Sequence, residues 1–461
     1  MTFFNKIAQN TSLKFIDAKL DREYQLKDIL FDLSSIELTQ KTLVFLYCKN
    51  EVQAVGLYLS LLKSNYAIAL LNEELDIRLK QALEKTYSPF IIFDEKRVLK
   101  EGFNVEIVHS KVYNYKVFKT TSSCPKIHSN VKVLLSTSGT TGSPKFVKLS
   151  EQNLYQNSIS ICDYLPIINN DVTPLNLPIF YSYGLSILHT NCLNGGEIVC
   201  NTDDILNKAF WEQFEQFRFS SIAGVPYVYE MLDRVGFRKK KYDSLRYISQ
   251  AGGNLNQIIK QKFLDYCIEN NLEFYVMYGQ TEASPRISYV PPNKLSEKIT
   301  SIGQSILNGN LTIDSVTQEL LYEGPNIFGG YAQKPKDLMT WKKSKHLHTG
   351  DIAIKDKDGF YFITGRIKRF VKVFGNRVNL DEIEDFLKRK IEKTNFACIG
   401  IKDKNIIIFT EKDITTEDIK NIVVRELKIH STVIKHRIID KFPLTSNGKI
   451  DYKELQKIYE S

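Results

Sequence analysis

Residues Leu134 to Ser150 read Leu-Leu-Ser-Thr-Ser-Gly-Thr-Thr-Gly-Ser-Pro-Lys-Phe-Val-Lys-Leu-Ser, and the fold turns on how they are understood. The apolar run Val131, Val133, Leu134 and Leu135 suits a buried strand, and it breaks into a run made almost entirely of Ser, Thr and Gly that Lys145 closes. Such a loop suits a polyphosphate. Gly139 and Gly142 let the backbone turn its N–H groups inward, the hydroxyls of Thr137, Ser138, Thr140 and Thr141 add short donors, and Lys145 supplies positive charge. The spacing is not that of a Walker A loop, because Pro144 stands before the lysine. A plain Ser/Gly linker fits poorly: it has no use for a buried strand before it or for the second alternation Phe146, Val147, Leu149 after it.

Outward from that loop, the 461 residues are 43% hydrophobic and 25% charged, enough for two or three cores. Seven cysteines are scattered without a Cys-x-x-Cys pair, which speaks against a disulfide framework or zinc site and for a reducing, cytoplasmic setting. No secretion signal is visible at the start. The apolar region Ala54 to Leu71 is interrupted by Lys63, Ser64 and Asn65, so no membrane span is expected. The net charge of +9 is not gathered into one tract, although from Arg366 onward 21 Lys and Arg face 15 Asp and Glu. That bias reads first as a solvated basic face, and it also suits an anionic nucleotide or a phosphopantetheine-bearing acceptor rather than nucleic acid.

The chain begins as a βαβ unit: strand Leu43 to Tyr47, an amphipathic helix after Asn50, and strand Tyr66 to Leu71. Further strands are expected at Phe90 to Phe93, Leu175 to Phe180, Gly196 to Cys200, Ser220 to Val225 and Tyr247 to Gln250, with helices at Trp211 to Phe217 and Asn256 to Asn270. Such alternation implies largely parallel sheets covered on both faces. Beyond Leu311 short strands at Leu311 to Ile313, Leu320 to Tyr322 and Ile352 to Lys355 suggest a small barrel-like subdomain. The tail has strands at Phe370 to Val373, Phe396 to Ile401 and Ile406 to Thr410, and helices at Leu380 to Lys390 and Glu417 to Lys428. It reads as a separate α+β domain. The expected fold is therefore α/β, with a large amino-terminal domain over 1–366 and a smaller, mobile carboxy-terminal domain over 367–461.

Four further stretches carry candidate chemistry. Tyr275-Val-Met-Tyr-Gly-Gln-Thr-Glu282 is a strand ending in polar residues, the place where open α/β sheets present ligands. Gln250-Ala-Gly-Gly-Asn254 follows another strand, although by itself Gly252-Gly253 reads equally as a tight turn. Thr349-Gly350-Asp351 offers a carboxylate able to accept both ribose hydroxyls, and Arg366 a guanidinium for ribose and phosphate. In Pro443-Leu-Thr-Ser-Asn-Gly-Lys449 the Asn-Gly turn presents a lysine, by itself one surface lysine among many. Glu282 alone reads as a solvated carboxylate.

In this order, the motifs closely resemble those of the adenylate-forming superfamily, which includes acyl- and aryl-CoA synthetases, luciferases and peptide-synthetase adenylation domains. The resemblance runs from about residue 40 to residue 455. It implies that the Ser/Thr/Gly loop grips the triphosphate, that Tyr278, Gly279 and the Gly252-Gly253 turn border adenine, and that Thr281 touches the α-phosphate. Glu282 and Thr141 would hold magnesium, Asp351 the ribose. Lys449 would swing in to stabilise the adenylation transition state, and a hinge at Lys368 would exchange it for the loop around Lys372 and Gly375 in a second step, thioester formation. Two departures stand out. Tyr181 lies where many relatives have His and where peptide-synthetase domains bind the substrate's amine with an aspartate. A tyrosine cannot do that, so a carboxylic acid without a charged amine is favoured. Glu151 replaces another common His, with slight effect.

The implied activity is that of an ATP- and magnesium-dependent ligase that turns a carboxylic acid into an acyl-adenylate, releases pyrophosphate, and passes the acyl group to a thiol, coenzyme A first and a carrier protein's phosphopantetheine, or an amine, second. A catalytically silent nucleotide sensor or nucleic-acid binder on the same fold is the alternative of another class. Tyr181, Ala223, Gly252 and Met277 are expected around the acyl group, and the reduced amino-terminal region favours a small or medium acid. The sequence leaves the oligomeric state open.

Overall fold

Thr42–Cys48, buried along its whole length, forms the middle of the largest sheet. A strand apolar on both faces needs cover on both, as the sequence pattern predicts for parallel pairing. Its neighbours Tyr66–Asn72 and Ile91–Phe93 run parallel to it, and Val133–Ser136 runs parallel to Tyr66–Asn72. The computed structural model describes residues 1–36, 40–97, 103–120, 125–136, 145–373, 376–391, 394–401, 405–411, 414–445 and 450–460. Thr137, Ser138, Gly139, Thr140, Thr141, Gly142 and Lys449 therefore lie outside the described residues, as do the side chains of Lys368 and Lys372.

The sheets are less uniformly parallel than the alternation implies. The large sheet has eight strands, and antiparallel neighbours close both edges: the hairpin Phe103–His109 with Asn114–Thr120 on one side, Phe146–Leu149 and Tyr331–Ala332 on the other. A second, five-stranded sheet orders Ser221–Gly224, Tyr247–Gln250 and Glu273–Gly279 in parallel before Arg286–Val290 and Gln304–Ser305 return antiparallel. A third joins Val172–Pro174, Glu197–Cys200, Lys14–Asp17 and Arg22–Gln25. The helix Val52–Lys63 is not amphipathic in effect. Apart from Gln53 it is buried from Val52 to Leu62, because Phe3, Phe4 and Phe15 of the amino-terminal segment join the same core.

The strand expected at Leu175 to Phe180 is absent; the strand there is Val172–Pro174. Pro174 and Pro178 cannot donate to a ladder. The Asn50 side chain instead satisfies the following backbone, donating to the carbonyls of Leu175 (2.6 Å) and Leu177 (2.7 Å) and accepting from the N–H of Ile179 (3.0 Å).

The chain folds into two compact units, Met1–Asn310 with Tyr322–Leu347, and Leu311–Leu321 with His348–Ser461. The second carries the four-stranded sheet of Asn310–Ile313, Glu319–Glu323, Leu347–Lys355 and Tyr361–Arg366. It also holds a three-stranded sheet of Phe396–Ile401, Asn405–Thr410 and Ile434–Ile438, with Leu380–Lys390 and Thr416–Leu427 packed around one core. The helix Leu380–Lys390 starts where the Asn379 side chain accepts the N–H of Asp381 (3.0 Å), and its acidic first turn and basic last turn complement the helix dipole. Among the described residues no helix is long and apolar enough to cross a membrane.

Candidate active site

The three parallel strands of the five-stranded sheet end at one edge. Gly224, Gln250 and Val276 stand in register, so the Gln250-Ala251-Gly252-Gly253 turn and the Tyr278-Gly279 strand end lie side by side beyond them. This is the carboxyl edge where open α/β sheets bind ligands. Gly252 has φ +85°, and a Cβ there would stand 2.5 Å from the Tyr181 hydroxyl, so the turn and the predicted pocket tyrosine are in contact. Tyr181, Ala223 and Met277 belong to one apolar cluster with Tyr183, Tyr247 and Tyr275. Burial holds the Tyr181 hydroxyl above the usual phenol range, which keeps it protonated and uncharged.

Gly279 is required by a close approach: a Cβ would lie 2.0 Å from the carbonyl oxygen of Pro285. Gly279→Ala is expected to shift that backbone and cost about 2 kcal/mol of stability, read as a lower urea midpoint with an unchanged slope.

The strand end feeds one 3-10 turn, Thr281–Ala283. The Thr281 hydroxyl is 3.1 Å from that of Ser182, at the start of the helix Ser182–Asn194. Next to it the Glu282 carboxylate accepts a 2.7 Å hydrogen bond from the Tyr331 hydroxyl, while the ammonium of Lys145 lies 3.0 Å from the centroid of the same ring. Pairing of Tyr331 with Val147 across the edge of the large sheet sets this meeting, because Lys145 immediately precedes that strand. Lys145, Tyr331 and Glu282 thus form one charged chain beside Thr281. Nothing in the local sequence of Tyr331 marks it, and only the strand pairing finds it. Glu151 does not reach this chain; its carboxylate accepts the N–H of Phe3 and anchors the amino-terminal helix.

In the second unit Asp351 is 5% exposed, and its carboxylate takes a 2.9 Å contact from the Nε of Arg366, its ladder partner. Thr349 accepts the Asp351 N–H (3.1 Å), and Gly350, at φ +77°, donates to Glu319 (2.9 Å). Lys368 follows in the turn Ile367–Arg369, and Lys372 lies in the strand Phe370–Val373. Arg369 is held on the far side of Lys368, by Asp381 (2.7 Å), by the carbonyl of Cys398 (2.7 Å) and by Glu384. Among the described residues no three His, Cys, Asp or Glu side chains gather as a metal cage. A lone hard carboxylate such as Glu282 fits magnesium, which keeps waters and takes phosphate oxygens for most of its shell.

A glycine-rich carboxyl edge with a half-buried acid and a lysine that meet on one tyrosine ring is the constellation of a nucleotide-binding α/β enzyme. Residues 33–332 match the family described as AMP-binding enzyme, and the chain belongs to that family. Its relatives include the oxalate–CoA ligase of Arabidopsis thaliana, 27% identical over 339 residues that cover 69% of this chain and 65% of that ligase. The 2-succinylbenzoate–CoA ligase of Bacillus mycoides is 25% identical, covering 71% and 70%. The chain thus spans about two thirds of the length of these relatives. Among solved structures, the o-succinylbenzoate CoA synthetase of Bacillus subtilis with its acyl-adenylate intermediate has the same fold, with a TM-score of 0.76 at 17% identity over 99% of this chain and 98% of that one. The same synthetase with ATP and a magnesium ion gives 0.74 at 18% identity, covering 99% of each chain.

Proposed function

We propose that the protein activates a carboxylic acid with ATP and magnesium and transfers the acyl group from the adenylate to the thiol of coenzyme A. The Lys145–Tyr331–Glu282 chain beside Thr281 carries this reading. A substrate carboxylate oxygen attacks the α-phosphorus, the bond to the β-phosphate oxygen breaks, and pyrophosphate leaves. Thr281 positions the α-phosphate, and Lys145 with the Ser/Thr/Gly loop takes up charge on the departing oxygens. Asp351 accepts the ribose hydroxyls and Arg366 orients it. Magnesium, held through Glu282 and Thr141, supplies charge neutralisation on the phosphates. For the second step the chain divides at Lys368 into 1–366 and 367–461, and rotation there exchanges Lys449 for the strand bearing Lys372. Six described cysteines are free, five of them buried, which supports a reducing cytoplasmic setting.

The test is acid-dependent ATP–pyrophosphate exchange over a panel of carboxylic acids that includes oxalate and 2-succinylbenzoate, followed by acyl transfer to coenzyme A or to a phosphopantetheinylated carrier protein. AMP and an acyl-CoA are the expected products; acylation of the carrier alone overturns the coenzyme A reading. Tyr331→Phe removes the donor that orients Glu282 and is expected to lower exchange about 10-fold while raising the magnesium needed for half-maximal rate.

A further inference from the structure

Arg286 is 2% exposed, yet among the described residues no carboxylate pairs with it. Ladder pairing with Gly279 places it in the strand that returns from the active-site turn. Its backbone is pinned, since its carbonyl accepts from Asn157 (3.2 Å) and Asn326 (2.8 Å). Its guanidinium stacks on the ring of Tyr183 at 4.9 Å, and the nearby Tyr164 hydroxyl donates to the sulfur of Met277 (3.0 Å). The Nε–H has no acceptor among the described residues. A guanidinium stays charged at any ordinary pH, and a buried charge without a counter-ion is among the most costly arrangements in a fold.

The same residue borders a cavity of about 20 Å³, whose walls include Tyr183, Ala223, Ser249 and Met277. Among the described residues Arg286 is the only ionisable cation on those walls, and no Asp or Glu lines them. The lining includes neither Thr281 and Glu282 nor Gly252 and Gly253. Ala223 and Met277, both expected around the acyl group, share the cavity's walls with Arg286.

We propose that Arg286 reads a second carboxylate, so that the acid activated here is a small dicarboxylic acid. The inference rests on the acid-activating function above. One carboxylate meets the α-phosphate while the other reaches Arg286, widening a void that at about 20 Å³ now has room for about one water, and completes its donor set in the bidentate geometry that arginine favours. A charged amine at the same place would be repelled, in keeping with Tyr181 where an amine-binding acid would stand.

The experiment compares succinate with butyrate and glutarate with pentanoate, in exchange assays and by calorimetric binding without ATP, for the native protein, Arg286→Lys and Arg286→Met. The native protein is expected to favour each diacid about 100-fold in kcat/KM over its monoacid. Arg286→Met is expected to lose that preference, mainly through KM, while ATP binding and monoacid turnover persist; Arg286→Lys recovers part of it. Equal or better native turnover of the monoacids overturns the proposal, as does an Arg286→Met protein that binds ATP normally and keeps the diacid preference. Exchange with no acid at all sinks the ligase reading instead, and calorimetry then decides the present one: diacid binding lost in Arg286→Met supports it, and diacid binding that is absent, or unchanged in that variant, refutes it.

Discussion

Acid-dependent ATP–pyrophosphate exchange by the Lys449→Ala protein is expected to fall about 10²- to 10³-fold, the scale of losing one preorganised charge donor at a transition state. The charge in question develops on the non-bridging oxygens of the α-phosphate as the carboxylate oxygen enters and pyrophosphate departs. In the proposed role Lys449 stabilises this state more than bound ATP, so kcat drops further than ATP affinity. The described residues on either side of 446–449 are joined: Leu444 bridges Ile450, and the Asp451 N–H donates to the carbonyl of Pro443 (2.8 Å). The substitution therefore leaves the loop's anchor intact. Thioester formation from a chemically prepared acyl-adenylate should survive, because in the mechanism proposed above Lys449 is exchanged for the strand bearing Lys372 before that half-reaction. An unchanged exchange rate removes Lys449 from the mechanism.

Glu282→Gln is the second large effect. The amide keeps an oxygen for the Tyr331 hydroxyl but removes the negative charge that the proposed mechanism assigns to holding magnesium. Metal-based charge neutralisation contributes several kcal/mol, so exchange should fall about 100-fold or more at millimolar magnesium. Part of that loss should return as magnesium is raised, whereas a purely structural defect would not respond to the metal. Isothermal titration with ATP in the presence and absence of magnesium separates the two: the variant should bind metal-free ATP as well as the native protein does. Equal magnesium dependence in both proteins would place the metal on other groups.

The strands with continuous apolar runs were legible in the sequence, since Leu43 to Tyr47 and Tyr66 to Leu71 can be nothing but two-face-buried neighbours. Asp351, Arg366 and the Tyr275 to Glu282 strand stood out because polar residues interrupt apolar ones at a strand end. The strand expected at Leu175 to Phe180 failed because its satisfaction comes from Asn50, far away in sequence. Tyr331 and Arg286 were hidden for the same kind of reason. Tyr331 matters only through pairing with the strand after Lys145, and Arg286 only because folding removes it from water without giving it an acid. A linear reading sees hydrophobic period and turn chemistry; it does not see which distant side chain is left holding an unmatched charge.

The two arginines that bracket Lys368 limit the geometry of any domain swing. Arg366 is tied to Asp351 on one side and Arg369 to Asp381 and Glu384 on the other, which leaves Ile367 and Lys368 as the links between the two ties. A polar strut crosses the joint, the Asn379 amide donating to the carbonyl of Thr364 (2.8 Å). The rotation proposed at Lys368 would run through the four backbone torsions of Ile367 and Lys368 and would first have to break the Asn379–Thr364 bond, which would act as its latch.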